Sequence, residues 1–162
     1  LCSTLHVNVA GGTWSNTLAT AASLSEASLE DLTIQMHSAT TDRGLKMSLR
    51  PRCLVIPPAL IYVAKRILGS ADRQVNSAER NINALVTMNI IPDTKVCHYL
   101  TSTTAWWLLT NLPTDGLKHW ERRGDDFGMD NDFDTENAKY KATARYSFGW
   151  TDPRAIYGTA GA

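Results

Sequence analysis

Ala138-Lys139-Tyr140-Lys141-Ala142-Thr143-Ala144-Arg145-Tyr146-Ser147-Phe148-Gly149-Trp150 decides the fold. Its even positions hold Ala, Tyr, Ala, Ala, Tyr, Phe and Trp, and its odd positions hold Lys, Lys, Thr, Arg, Ser and Gly. Period two is the signature of a strand with one apolar face, because successive side chains point to opposite sides. A helix would place Lys139 and Arg145 among the apolar residues. The run is longer than the usual five or six residues of a strand. It is therefore expected to extend beyond a compact sheet. Asp152-Pro153 ends it, and Ala155-Ile156-Tyr157-Gly158 offers one more short strand.

Upstream, the apolar spacing alternates between helix and strand. Ser23-Leu24-Ser25-Glu26 fits a capping box, and Leu29, Leu32 and Met36 follow at helical spacing. That helix is expected to end before Asp42-Arg43-Gly44. Leu54-Val55-Ile56 reads as a buried strand stopped by Pro57-Pro58. Leu60, Ile61, Ala64, Ile67 and Leu68 then form one apolar stripe closed by Gly69. Residues 70–83 are polar and read as a long surface loop. Strand signals resume at Leu85–Ile91, at Ala105–Leu109 and near Leu117–Glu121. Residues 1–22, with Gly11-Gly12 as a break, read as an extended lead-in. The fold class is α+β.

Composition narrows the functional classes. The 162 residues carry 16 Lys plus Arg against 16 Asp plus Glu, a formal net charge of zero. A strongly basic nucleic-acid binder is disfavoured, since phosphate neutralisation needs a cationic surface. No apolar run approaches the ~20 residues of a membrane span, and Leu1–Ala10 lack the basic region of a secretory signal. The chain begins with Leu1, which reads as processing, trimming or a missing beginning. Cys2, Cys53 and Cys97 are too few and odd in number for a disulfide framework, so a reducing compartment is expected.

Three blocks together carry a resemblance. LRPRCLVIPPALIYVAKRIL (49–68) resembles the helix–strand–Pro-Pro–helix block of Mu-like head subunits. TENAKYKATARYSFGWTDPRAIYGTAG (135–161) resembles their C-terminal strand with its Pro-Arg turn and closing strand. Ala105–Leu109 is similar to the Ala-Trp-Tyr-Leu strand of that family. The resemblance is to the C-terminal portion of tailed-phage major capsid proteins of the Hong Kong 97 type.

This resemblance implies a Hong Kong 97-like capsid fold. An axial domain would comprise residues 23–122 and 150–162, and peripheral-domain strands would comprise 123–149. The family's N-terminal arm, extended loop and spine helix are absent from this sequence. The implied role is a structural, non-enzymatic shell protein that self-assembles through hexamers and pentamers into an icosahedral head enclosing double-stranded DNA, without sequence recognition. Its partners would be other copies of itself, with decoration, scaffolding or portal proteins as further ones. Its place would be the virion, assembled in the host bacterial cytoplasm. An encapsulin-type compartment shell shares the fold. A rival of another class is a metal-dependent hydrolase or nuclease using the Asp125–Glu136 cluster.

Candidate inter-subunit contacts are Arg73, Glu79 and Arg80 on the 70–83 segment, and Asp130, Asp132, Lys139 and Lys141 around the acidic run. A solvated loop is the plainer alternative for both groups, because exposed ion pairs are worth under ~1 kcal/mol. The acidic run fails the calcium-loop pattern, with Thr135 and Lys141 where Gly and Glu are required. His6, His37, His98 and His119 are scattered, and no zinc spacing occurs. No nucleophile elbow or phosphate loop is present. No catalytic, metal or cofactor residue is assigned. The five Trp residues read as core and interface anchors, with Trp106 and Trp107 on opposite faces of one strand.

Overall fold

The computed structural model describes the chain except residues 77–78, 113–115, 132–133 and 135, and the side chains of 73–76 and 79–81. The chain is α+β. A four-stranded sheet forms the body, in the order β10 (Ile156–Thr159), β7 (Trp106–Thr110), β3 (Pro51–Ile56) and β6 (Asp93–Val96). The pair β3–β6 is parallel, and the other two pairs are antiparallel.

One face of this sheet is the core. Leu54, Leu108 and Tyr157 form one cross-strand row on it, and they are buried with Ile56 and Trp106. Helix α1 (Glu26–His37) lays Leu29, Leu32 and Met36 against this layer. These three recur at helical spacing and are wholly buried, each contributing about 2 kcal/mol of apolar burial. Leu24, Leu49, Ala64, Leu85 and Ile91 complete the cluster. Trp106 also donates its indole N–H to Ala22 O at 3.2 Å. The other face carries Val55, Trp107 and Leu109, each half-buried.

The start of α1 differs from expectation by one cap. Ser25, not Ser23, is the N-cap. Its hydroxyl accepts from Ser28 N–H at 3.2 Å, and Ser28 Oγ accepts from Ser25 N–H at 2.9 Å. Serine at the third helical position performs the return bond that glutamate usually makes. The helix ends at His37, and Gly44 (φ +83°) lies beyond it in the turn from Thr41 to Leu45.

The Pro-Pro block folds into the expected helix, but Val63 takes the place that the spacing gave to Ile61. Pro58 opens a 3-10 turn that runs into α2 (Ile61–Leu68). Its inner stripe is Leu60, Val63, Ala64, Ile67 and Leu68, while Ile61 and Tyr62 face outward. Asn83 caps the end of α2, donating to Ile67 O at 2.6 Å and Ser70 O at 3.1 Å. The 70–83 segment is a hairpin of β4 (Asp72–Asn76) and β5 (Glu79–Ile82) rather than a loop. The segment expected as a strand at Leu85–Ile91 is instead a short helix, α3 (Ala84–Thr87), and the strand lies beyond Pro92, at β6. Pro92 cannot donate to a ladder, so pairing with β3 starts after it.

The N-terminal residues pack on the body. β1 (His6–Val7) pairs with β2 (Thr13–Trp14) around a turn in which Gly11 and Gly12 adopt φ of +91° and +84°. Asn16 is completely buried. Its side-chain amide donates to the carbonyls of Pro153 at 3.1 Å and Ile156 at 2.9 Å, and its Oδ1 accepts from Ser3 N–H at 2.8 Å. Thr17 bridges Gly158, so this segment covers the β10 edge of the sheet. The opposite edge, β6, is exposed.

Candidate assembly surface

From the body projects a ribbon of two strands, β8 (Leu117–Asn131) and β9 (Ala138–Trp150). The thirteen-residue zigzag, Ala138–Trp150, is this second strand. Its partner begins at Leu117, so the acidic residues Asp125, Asp126 and Asp130 lie on a strand and not in a loop. At ~3.3 Å per residue the ribbon is roughly 40 Å long.

Two bulges on β8 keep one face apolar. Glu121 is opposite Tyr146 and Phe127 is opposite Ala142, so β8 spends two more residues than β9 over this stretch. A single extra residue would turn Phe127 and Met129 to the other side. Two extra residues restore the phase. One face therefore shows Leu117, His119, Phe127 and Met129 beside Tyr140, Tyr146, Phe148 and Trp150, with Glu121 as its one charged residue in the paired register. The other shows Lys118, Trp120, Arg123, Asp126, Asp130, Lys139, Lys141 and Arg145. Arg123 and Arg145 stand directly opposite, a like-charge pairing that Asp126 offsets by its ion pair to Arg123.

Among the described residues, none covers either face. The zigzag was expected to be half-buried, yet only Thr143 and Gly149 of β9 are partly shielded, and only Lys118 of β8. Phe127 is 79% exposed, Tyr140 76%, Phe148 72% and Met129 68%. Near the base the aromatics at least pack on each other, with His119 stacked on Phe148 at 4.8 Å and Tyr146 edge-on to Phe148 at 5.5 Å. On the polar side the Trp120 ring lies over Gly149, where a Cβ would collide with it.

The surface area measures how incomplete this fold is alone. The chain exposes 11114 Å². A compact monomer of its 17.8 kDa exposes about 8,000 Å². The excess of roughly 3,000 Å² on one chain exceeds the about 800 Å² that each partner buries in an ordinary complex and is on the scale of the largest obligate interfaces, which bury about 2,500 Å² or more per partner. A two-stranded ribbon standing alone in water is also marginal in stability.

The ribbon's base is fixed to the body by Arg154, which sequence reasoning left without a role beyond the Pro-Arg turn. Arg154 is only 5% exposed. Its Nε donates to Thr40 O at 2.8 Å, and its Nη2 donates to Asp42 Oδ1 at 2.7 Å and to Asn8 Oδ1 at 3.3 Å. Its guanidinium lies 4.4 Å from the centre of the Trp14 ring, which also stacks on His6 at 4.6 Å. Asp152 Oδ1 accepts from Arg154 N–H at 2.8 Å, shaping the turn that leaves β9. The signal in the sequence was Asp152-Pro153-Arg154, an Asx-type turn. That the Arg would be buried depends on residues more than a hundred positions away.

The candidate contacts fall in two places. Asp130 and Lys139 are directly opposite each other near the ribbon tip, and Lys141 is opposite Gly128, all three exposed. Asp132 lies outside the described residues. The backbone places Arg73 on β4 and Glu79 and Arg80 on β5, and their side chains lie outside the described residues. The two groups belong to different hairpins.

Among the described residues of the acidic run, Asp125 lines an open hollow with His119, Glu121, Arg123 and Phe148. Asp126 and Asp130 share a face but stand four residues, or about 13 Å, apart along the strand. Among the described residues no three His, Cys, Asp or Glu side chains converge as a metal-binding group. No helix among them is long and apolar enough to cross a membrane.

No curated protein and no solved structure matches the chain. The model of a family described as phage capsid protein matches residues 3–159. The chain belongs to that family and is a structural protein of bacteriophage capsids.

Proposed function

We propose that this chain is the C-terminal portion of a Hong Kong 97-type, Mu-like major capsid subunit. Its copies assemble as hexamers and pentamers into an icosahedral head that encloses the double-stranded DNA of a tailed phage. The observation that carries this reading is the uncovered ribbon: about 40 Å of two-stranded sheet whose apolar face is covered by none of the described residues supports a subunit completed by its neighbours. The body, residues 23–122 and 150–162, is the axial domain. Residues 123–149 are the peripheral strands, with 117–122 as their stem, and residues 1–22 lead in along the β10 edge.

Arg73, Glu79 and Arg80 on one hairpin, Asp130, Lys139 and Lys141 on the ribbon, and Asp132 make polar contacts between subunits. Rim charges of this kind set register and orientation more than affinity. The zero net charge suits an inner wall that holds DNA without sequence recognition. Decoration, scaffolding and portal proteins are the further partners of such a shell.

The test is electron microscopy of the product of the full-length gene. Closed shells of uniform size support the assignment. A product that stays monomeric at high concentration counts against it.

A further inference from the structure

The apolar face of the ribbon has a counterpart on the body. A groove of about 440 Å³ runs between α2 and β6, walled by Ile61, Tyr62 and Leu68 on one side and Ile91, Pro92 and Val96 on the other. Tyr62 is 78% exposed at its lip. Resting on the assembly reading above, we propose that the distal half of the ribbon of one copy lies in the α2–β6 groove of a neighbouring copy, seating Phe127, Met129 and Tyr140 there.

Three observations select this occupant. The first is size. The roughly 3,000 Å² of surplus surface demands a partner on the scale of another subunit, and a short peptide would leave most of it wet. The second is charge. From Gly124 to Lys141 the sequence holds six acidic residues against two basic ones, whereas Pro57–Gly69 holds Lys65 and Arg66 and no acid. Lys65 borders the groove and both cations are exposed, so the acidic end of the ribbon meets the cationic flank of α2. The third is which aromatics are free. His119, Tyr146 and Phe148 already pack on one another near the base. Phe127, Met129 and Tyr140 lie toward the tip and are more than two-thirds exposed.

Geometry separates this from ribbon-on-ribbon pairing. Two ribbons face to face form an isologous contact, which closes as a dimer. A ribbon in a neighbour's groove is heterologous, and such contacts repeat around a ring.

The experiment places a photo-crosslinking phenylalanine derivative at Tyr140 in the full-length protein, in shells assembled from equal parts of isotopically heavy and light chains. Mass spectrometry then reads the partner peptide. Mixed heavy–light crosslinks to 58–68 or 89–96 are expected. Crosslinks to another copy's ribbon, or to any other surface, overturn the proposal while leaving the shell assignment standing. Absence of shells overturns both. As a second arm, Lys65→Glu with Arg66→Glu should lower shell yield at least tenfold at unchanged thermal midpoint, and adding Glu136→Lys at the ribbon tip should recover part of it. An undiminished yield in the double variant also overturns the proposal.

Discussion

Arg154 Nη2 lies 2.7 Å from Asp42 Oδ1, joining the turn that follows the ribbon to a residue 112 positions upstream. Asp42 is 45% exposed and Arg154 almost fully buried. The ion pair therefore has one wet partner, and most of the stabilisation comes from how many acceptors the guanidinium satisfies together. Replacing it with Met removes its bonds to Thr40, Asp42 and Asn8 and its stacking on Trp14. Arg154→Met is expected to cost about 3 kcal/mol, which for a domain of this size lowers the thermal midpoint by roughly 10 °C. Arg154→Lys keeps the charge but not the fork, and should fall between the two. Calorimetry of the three chains checks the order.

Asn16 makes a second long-range clamp. Its side chain serves carbonyls at 153 and 156 and the backbone N–H of Ser3. Asn16→Ala leaves these buried groups unsatisfied, at a cost of about 2–4 kcal/mol. Because the bonds hold residues 1–16 to the body, limited proteolysis should cut near Gly11-Gly12 faster in the variant, before the body unfolds.

Gly158 is required by contact. It sits opposite Trp107 in the β7–β10 ladder, where a Cβ would overlap the indole ring and stand 3.0 Å from Trp106 O. Gly158→Ala should destabilise by about 1–3 kcal/mol through overpacking. Denaturant unfolding with an unchanged slope would read this as lost stability alone.

Burial pushes the Tyr157 phenol up to about 12, with Arg154 opposing and Asp152 adding to the shift. The native state holds this proton more tightly than the unfolded chain does. The associated stability is complete below pH 10 and declines as pH rises from 10 to 12. Tyr157→Phe removes the titrating group and should flatten that decline. Chemical unfolding midpoints measured across this window compare the two chains.

The reading of residues 138–150 succeeded because a period-two pattern is local: each side chain's face follows from its neighbours in sequence. Burial is not local. The same pattern appears whether the apolar face meets this chain's core or another copy's surface, so the zigzag was legible as a strand but not as an uncovered one. The partner strand was hidden by chemistry. Asp125, Asp126 and Asp130 resemble a loop in composition, but opposite Thr143 and Lys139 they sit on a ladder whose far side is solvent. Leu85–Ile91 was misjudged because short apolar runs fit helix and strand alike, and the position of Pro92 decided which residues could pair. Arg154 escaped notice since its partners come from Asn8, Trp14, Thr40 and Asp42, and nothing in its own neighbourhood records them.

Substitutions on the ribbon separate folding from assembly. Phe127→Ser and Tyr140→Ser replace exposed side chains, so the isolated chain's stability should change by less than about 0.5 kcal/mol. Shell yield from the full-length protein should fall sharply, because each site recurs in every subunit. Light scattering and thermal melts on the same preparations distinguish the two effects.

Oxidative footprinting read by mass spectrometry compares assembled particles with dissociated subunits at Met129, Tyr140 and Trp150. The account predicts at least a fivefold drop in modification of Met129 and Tyr140 on assembly, with Tyr99, on the body, serving as an internal comparison. Equal modification of the ribbon in both states would contradict it, because the apolar face would then remain in water where this account has it buried.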